Sequence, residues 1–183
     1  KNKVRYLGYP LRKEIRIIDK KIAREQIDIR VEGKLLVVIG GSQGAKKLNH
    51  WVVDNYEKLA GDQISVYCIT GFSTGIKSED EYFDDNHSLN MIKIVPFSEN
   101  MSAVLSSADL VVSRAGAGSI AEITRCNVPS ILIPYPYSSD GHQILNARKH
   151  ESMGGCIVLD EDRIDRLYDE IKKVIHNDFI LDK

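Results

Sequence analysis

"KLLVVIGGSQGAKKLNHWVVDNYEKLAG" runs from Lys34 to Gly61. Its opening is an apolar, β-branched run that stops at Gly40 and Gly41. A strand with no polar alternation is buried on both faces, as in a parallel sheet covered by helices. After the glycines, Leu48, Trp51, Val52, Tyr56 and Leu59 recur close to helical spacing, and Gly61 fits a C-terminal stop. The unit is therefore strand, glycine turn, helix.

The same alternation continues along the chain. Residues 64–71, 90–98, 109–115, 129–136 and 156–160 read as strands. Residues 100–108, 118–127, 141–154 and 161–176 read as helices. Residues 3–10 read as a strand ending in a turn, the charged stretch 11–32 as a helix or loose connection, and the acidic stretch after Gly71 as a loop with a weak helix. Repeated β-α alternation predicts a doubly wound α/β domain: a Rossmann-like parallel sheet with helices on both faces. In such folds ligands sit beyond the carboxyl ends of the strands, so the loops after Gly40, Gly71, Phe97, Arg114 and Tyr135 are the ones to inspect.

Composition narrows the classes. With 43% apolar and 28% charged residues the chain reads as one globular domain rather than a disordered one. A net charge of −1 gives no bulk argument for nucleic acid, though Lys20, Lys21 and Arg24, and later Arg148, Lys149 and His150, form local basic clusters. No apolar run reaches the roughly 20 residues of a membrane helix. Cys68, Cys126 and Cys156 are too scattered for a metal site or a disulfide framework and read as buried free thiols of a reducing compartment.

Three loops carry candidate chemistry. In "GGSQGAKKLN" (40–49) glycines aim backbone N–H groups at one place and a helix start follows, which suits a phosphate; Ala45 rules out a Walker A loop. The plain alternative is a tight turn with Ser42 as helix cap. In "LVVSRAGAGSIAEI" (110–123) Ser119 and Glu122 have capping-box spacing, and Gly116, Gly118 and Ala121 match a permitted dinucleotide pattern. Glu122 can instead accept both hydroxyls of a ribose, and Arg114 can offer planar donors to a nucleobase or phosphate. In "PYPYSSDGHQILNA" (134–147) Asp140 stands near enough to cap a helix, while His142, Gln143 and Asn146 offer the mixed donors and acceptors that sugar hydroxyls need. The acidic run at 160–162 resembles the metal motif of some sugar transferases, but it opens the last helix, where acids complement the helix dipole.

Taken in order, "LGYPLR", "GGSQGAKKLN", "PFSENM", "ADLVVSRAGAGSIAEI" and "PSILIPYPYSSDGHQILNA" resemble the C-terminal half of the MurG family, the UDP-N-acetylglucosamine transferases that convert lipid I to lipid II in peptidoglycan synthesis. The resemblance implies one half of a GT-B architecture, with residues 1–183 as the donor domain and an acceptor domain outside this chain. It implies an inverting glycosyltransferase with UDP-GlcNAc as donor, a lipid-linked acceptor, no cofactor and no metal held by a DxD motif. It also implies a catalytic base in the other half, no turnover by this half alone, and a full-length protein peripheral on the inner face of the cell membrane.

Residue by residue, the resemblance sets Arg12 near the donor and Ser42, with Gln43 and Gly44, at the diphosphate. Ser98 falls where the family contacts uracil. Arg114, Ala117, Gly118 and Ser119 line the second glycine loop, and Glu122 holds the ribose. His142, Gln143 and Asn146 read the sugar. Tyr9, where the family has asparagine, and the spacer Gly141 are departures. Rival readings are the donor subunit of another GT-B glycolipid transferase, a nucleotide-sugar binding module without catalysis, and, from the dinucleotide pattern, an NAD-dependent oxidoreductase.

Overall fold

The structure is a computed structural model that describes residues 9–31, 33–41, 45–72, 82–83 and 89–177. Six strands form one parallel sheet: β1 (Lys34–Ile39), β2 (Ile64–Ile69), β5 (Ile92–Val95), β6 (Leu110–Ser113), β7 (Ser130–Leu132) and β8 (Ile157–Val158). Their order across the sheet is β5-β2-β1-β6-β7-β8, so the winding reverses between β1 and β6. Helices α1 (Lys20–Gln26), α2 (Lys46–Gly61), α3 (Met101–Ser107), α4 (Ala117–Arg125), α5 (His142–Ser152) and α6 (Leu167–Ile175) make the crossovers and flanking layers.

Alternation along β1 divides the core. Leu35, Val37 and Ile39 face a cluster that includes Ala23 of α1, Val104 and Leu105 of α3, Ile123 of α4 and Ala147 of α5. Leu36 and Val38 face the other side, with Trp51 and Leu59 of α2 and Leu167, Ile171 and Val174 of α6. A fully buried leucine such as Leu36 stabilises the domain by roughly 2 kcal/mol. The expected doubly wound sheet is thus the observed one.

Several local expectations change. Residues 3–8 of the first proposed strand, and most of the acidic stretch, lie outside the described residues. Within that stretch Tyr82–Phe83 (β3) pairs antiparallel with Leu89–Asn90 (β4), so those residues are not helical. Among the described residues of 11–32 there is one short helix, α1. Asp19 caps it by accepting from the Lys21 and Ile22 N–H groups. The chain before it is an extended strap held to α3 by hydroxyls. Ser102 Oγ accepts from Arg16 N–H and donates to the Glu14 carbonyl, and Ser106 Oγ accepts from Ile18 N–H. Asp109 then gathers Lys20, Arg24 and the Leu35 N–H, so two cations of the first basic cluster are neutralised. In the second cluster Arg148 pairs with Glu151 and Asp160, and His150 is buried.

The three thiols are free, with Cys68 and Cys126 buried and Cys156 half-buried. Burial pushes the Cys68 thiol up to about 12. Cys156 also rises to about 12, mainly by burial and further through Glu151. Neither is a nucleophile at neutral pH.

Candidate functional site

Two βα turns flank the reversal point, where doubly wound sheets bind ligands. After β1 the Gly40 N–H donates to the Ile69 carbonyl, and a Cβ on Gly40 would stand 3.1 Å from Ala45 N, a contact tight enough that the start of α2 would have to shift. Gly41 follows with φ +81°, a left-handed conformation that glycine adopts at little cost. Ser42, Gln43 and Gly44 lie outside the described residues. Helix α2 then begins with Ala45 as N-cap, which supplies no side-chain hydrogen bond. After β6 the chain passes Arg114, Ala115 and Gly116, and Gly116 is the N-cap of α4, again with no side chain to cap it. Both helices therefore start with N–H groups that their own N-cap side chains leave unsatisfied.

The capping-box reading of Ser119 and Glu122 does not hold. The helix begins at Ala117, so Ser119 is already its third residue and Glu122 lies a turn further in. Glu122 instead accepts a 2.9 Å hydrogen bond from Arg12 of the strap through Oε1. Tyr9 reaches the same place: a Cβ on Gly118 would meet the Tyr9 hydroxyl at 3.2 Å. The strap thus crosses the first turns of α4.

Two cavities open here. One, of about 370 Å³, is lined by Arg12, Phe72, Phe97, Ser98, Gly118 and Glu122, among others. Phe72 and Phe97 stack with centroids 5.8 Å apart, both more than half exposed. Ser98 hydrogen-bonds Tyr67, whose phenol burial pushes up against the lowering effect of that bond. The other cavity, of about 720 Å³, is bounded by Lys46, Lys47, Arg114, Tyr137, His142 and Gln143, among others. Gly41 and Ser119 line both, so the two cavities adjoin at the glycine turns.

The start of α5 builds the far wall. Asp140 does not cap it. That residue has φ +51°, Gly141 is the N-cap, and the Ser138 hydroxyl accepts from Gln143 N–H at 3.3 Å. Gln143 Oε1 accepts from Tyr135 N–H. His142 Nδ1 lies 2.6 Å from the Ser139 carbonyl. A carbonyl only accepts, so Nδ1 is the donor in this contact. Asn146 lines neither cavity; its amide donates to the Ala115 carbonyl at 3.4 Å and ties α5 to the second glycine turn. Ala117 is exposed at the first position of α4 and is also outside both linings.

Arg114 lines the larger cavity beside Gly116 and Ser119 but reaches it through partners that the sequence does not pair with it. Its guanidinium is already engaged: it donates to the Ile133 carbonyl at 3.2 Å, pairs with Glu161, and lies 5.5 Å from the Tyr135 ring centroid. The run at 160–162 is likewise more than helix-dipole complement. Asp160 accepts from Arg148 at 3.0 and 3.1 Å, and the Glu161 carbonyl accepts from Lys47 Nζ at 2.8 Å. No local pattern marks these partners, because they are 12 to 114 residues apart. The aromatic residues at the cavity rims, Phe72, Phe97, Tyr135 and Tyr137, belong to no motif; their signal in the sequence is an aromatic side chain just after a strand end.

The dinucleotide pattern at 116–121 follows β6, whereas the first βα turn of the sheet is the one at Gly40 and Gly41, so the fingerprint is in the wrong turn for NAD. Comparison with known proteins points elsewhere. Residues 35–179 match the glycosyltransferase family 28 C-terminal domain. The chain is 40% identical over 180 residues, 98% of its length, to the UDP-N-acetylglucosamine--N-acetylmuramyl-(pentapeptide) pyrophosphoryl-undecaprenol N-acetylglucosamine transferase of Opitutus terrae, covering 48% of that protein. The transferase of the same name from Caldanaerobacter subterraneus is 36% identical over 99% of this chain and 50% of its own length. The chain thus spans about half the length of these relatives. The crystal structure of Acinetobacter baumannii MurG shares the fold at a TM-score of 0.63 and 21% identity, over 98% of this chain and 51% of that one.

Proposed function

The chain belongs to glycosyltransferase family 28 through its C-terminal domain, and on that footing we propose that it is the donor half of an inverting GT-B transferase carrying N-acetylglucosamine from UDP-GlcNAc to lipid I. The observation that carries this reading is the pair of cavities that adjoin at two uncapped glycine turns, with a carboxylate in one and amide and imidazole groups in the other. In this reading uracil enters the smaller, apolar cavity beside Phe97 and Ser98, and Glu122 takes the ribose diol. The diphosphate lies at Gly41 and Ser119, facing the starts of α2 and α4, where N–H groups and the helix dipole favour an anion. The sugar reaches His142 and Gln143.

The chemistry of this half is electrostatic. As the acceptor hydroxyl attacks the anomeric carbon, the bond to UDP breaks and negative charge grows on the departing diphosphate. Fixed N–H groups at both turns stabilise that charge more than the ground state; one such donor is worth roughly 3 kcal/mol in other enzymes. Glu122 adds positioning, since holding the ribose fixes where the phosphates fall. The acceptor site and the general base belong to the other half of such an enzyme, consistent with the span of the relatives. So does contact with the inner face of the membrane; among the described residues no helix is long and apolar enough to cross one. Neither a metal nor a cofactor enters this scheme.

Calorimetry with UDP, UDP-GlcNAc and NAD tests the reading. The two uridine ligands should bind and NAD should not; binding of NAD alone would reverse the assignment. A crystal soaked with UDP-GlcNAc should show the uridine between Ser98 and Glu122.

A further inference from the structure

The Asp160–Glu161 pair after β8 joins three elements that wall the larger cavity. Asp160 holds Arg148 of α5, the Glu161 carboxylate holds Arg114 after β6, and the Glu161 carbonyl holds Lys47 in the first turn of α2. The Arg114 and Glu161 side chains are only 10% and 13% exposed, so the pair is largely removed from water. A cation so placed is costly unless it is paired and further hydrogen-bonded. Arg114 meets both conditions, through Glu161 and through the Ile133 carbonyl. Glu161 therefore decides where the guanidinium stands, and its backbone decides where the Lys47 ammonium stands. These two cations line the same cavity as Gly41, Gly116 and Ser119.

We propose that Glu161 is a positioning residue for the donor's diphosphate: it sets Arg114 and Lys47 as a fixed wall of N–H donors beside the glycine turns. This role rests on the uridine-nucleotide reading above. A lone carboxylate at that wall would repel phosphate, but one neutralised by Arg114 adds little net field. What it contributes is place: without it Arg114 loses its anchor and the wall loses its shape. The opposite role is physically distinct. A carboxylate that merely stood in for absent phosphate would compete with it, and its removal would tighten binding.

The test is the ratio of the uridine and UDP dissociation constants, measured by calorimetry on the whole chain as wild type, Glu161→Ala and Glu161→Gln. The ratio isolates the part of affinity due to phosphate, which a purely structural role leaves alone. Loss of an outer partner of this kind typically costs 10- to 100-fold at metal sites; here the ratio should fall about tenfold in Glu161→Ala while the uridine constant holds. Glu161→Gln, which keeps the acceptor oxygen without the charge, should recover part of the loss. If Glu161→Ala does not fold, a fall of about threefold in Glu161→Gln supports the role. An unchanged ratio in either folded variant overturns it, as does a rise. Failure of the wild type to bind uridine and UDP would overturn the uridine reading itself, and is recognisable because it precedes any substitution.

Discussion

The helices fall into two kinds according to how they begin. Helix α1 is capped by Asp19, and α3 by Asn100, whose side chain accepts from the Ala103 N–H. Helices α2 and α4 begin at Ala45 and Gly116, with no N-cap side-chain bond. The self-sufficient starts serve the strap and the crossover that pack the sheet. Helices α5 and α6 also lack such a bond, but the Ser138 hydroxyl accepts from the Gln143 N–H at the start of α5, and α6 continues a 3-10 turn over Glu161–Arg166. Helices α2 and α4 stand on either side of the β1–β6 reversal. An N-cap side chain typically contributes about 1 kcal/mol. Where the fold forgoes it, the N–H groups remain available to an anionic ligand.

The sharpest way to break this contrast is Glu122→Ala. If Glu122 holds a ribose, losing hydrogen bonds to a charged group should weaken UDP binding by about 10- to 100-fold in calorimetry. Its ion pair with half-exposed Arg12 adds little to stability, so the melting temperature should barely move. A variant that melts lower yet binds normally would return Glu122 to a structural role.

Gly116→Asp converts an open helix start into a capped one. The backbone there (φ −65°, ψ 142°) suits any residue, and a Cβ would meet nothing nearer than the Ser119 hydroxyl at 3.8 Å. Stability should rise by a few tenths of a kcal/mol. UDP affinity should fall about tenfold, because the new carboxylate occupies and repels the diphosphate position. Asp19→Ala is the mirror experiment. Chemical denaturation should show a loss of about 1 kcal/mol, with UDP binding unchanged.

The smallest effect lies at the opposite end of the sheet, where His150 packs on Gly155 so closely that a Cβ there would come within 2.4 Å of the ring. Burial lowers the His150 pKa below its usual 6.5, against the raising effect of a hydrogen bond to the Gly155 backbone. Below pH 6.5 the unfolded chain therefore binds a proton that the folded chain refuses. Stability should be full above that pH and decline as pH falls beneath it. His150→Asn should reduce the slope.

Much of this was legible in the sequence because it depends on neighbours in the chain. Apolar runs ending in glycine gave the central strands. The alternation of Leu35 and Leu36 between two cores follows from the period of a strand. The cavity-lining residues Ser119, Glu122, His142 and Gln143 came from loops at strand ends, where the fold collects ligand groups, and Ser98 came from the family resemblance alone. What escaped was register and distance. S-x-x-E spacing says nothing about where a helix starts, and this one starts two residues before Ser119. Arg12 meets Glu122 across 110 residues and Arg114 meets Glu161 across 47, pairings that only the assembled sheet creates. Asp140 looked like a cap until a left-handed turn placed Gly141 there instead.

Strand β1 is bonded along both edges, to β2 over its whole length and to β6 over its last four residues. Ladders enclosed this way are the last to surrender their amide protons to deuterium. The points at which both turns leave the sheet, at Gly40 and Arg114, spring from that slow-exchanging centre, so they are tempered before any guest arrives.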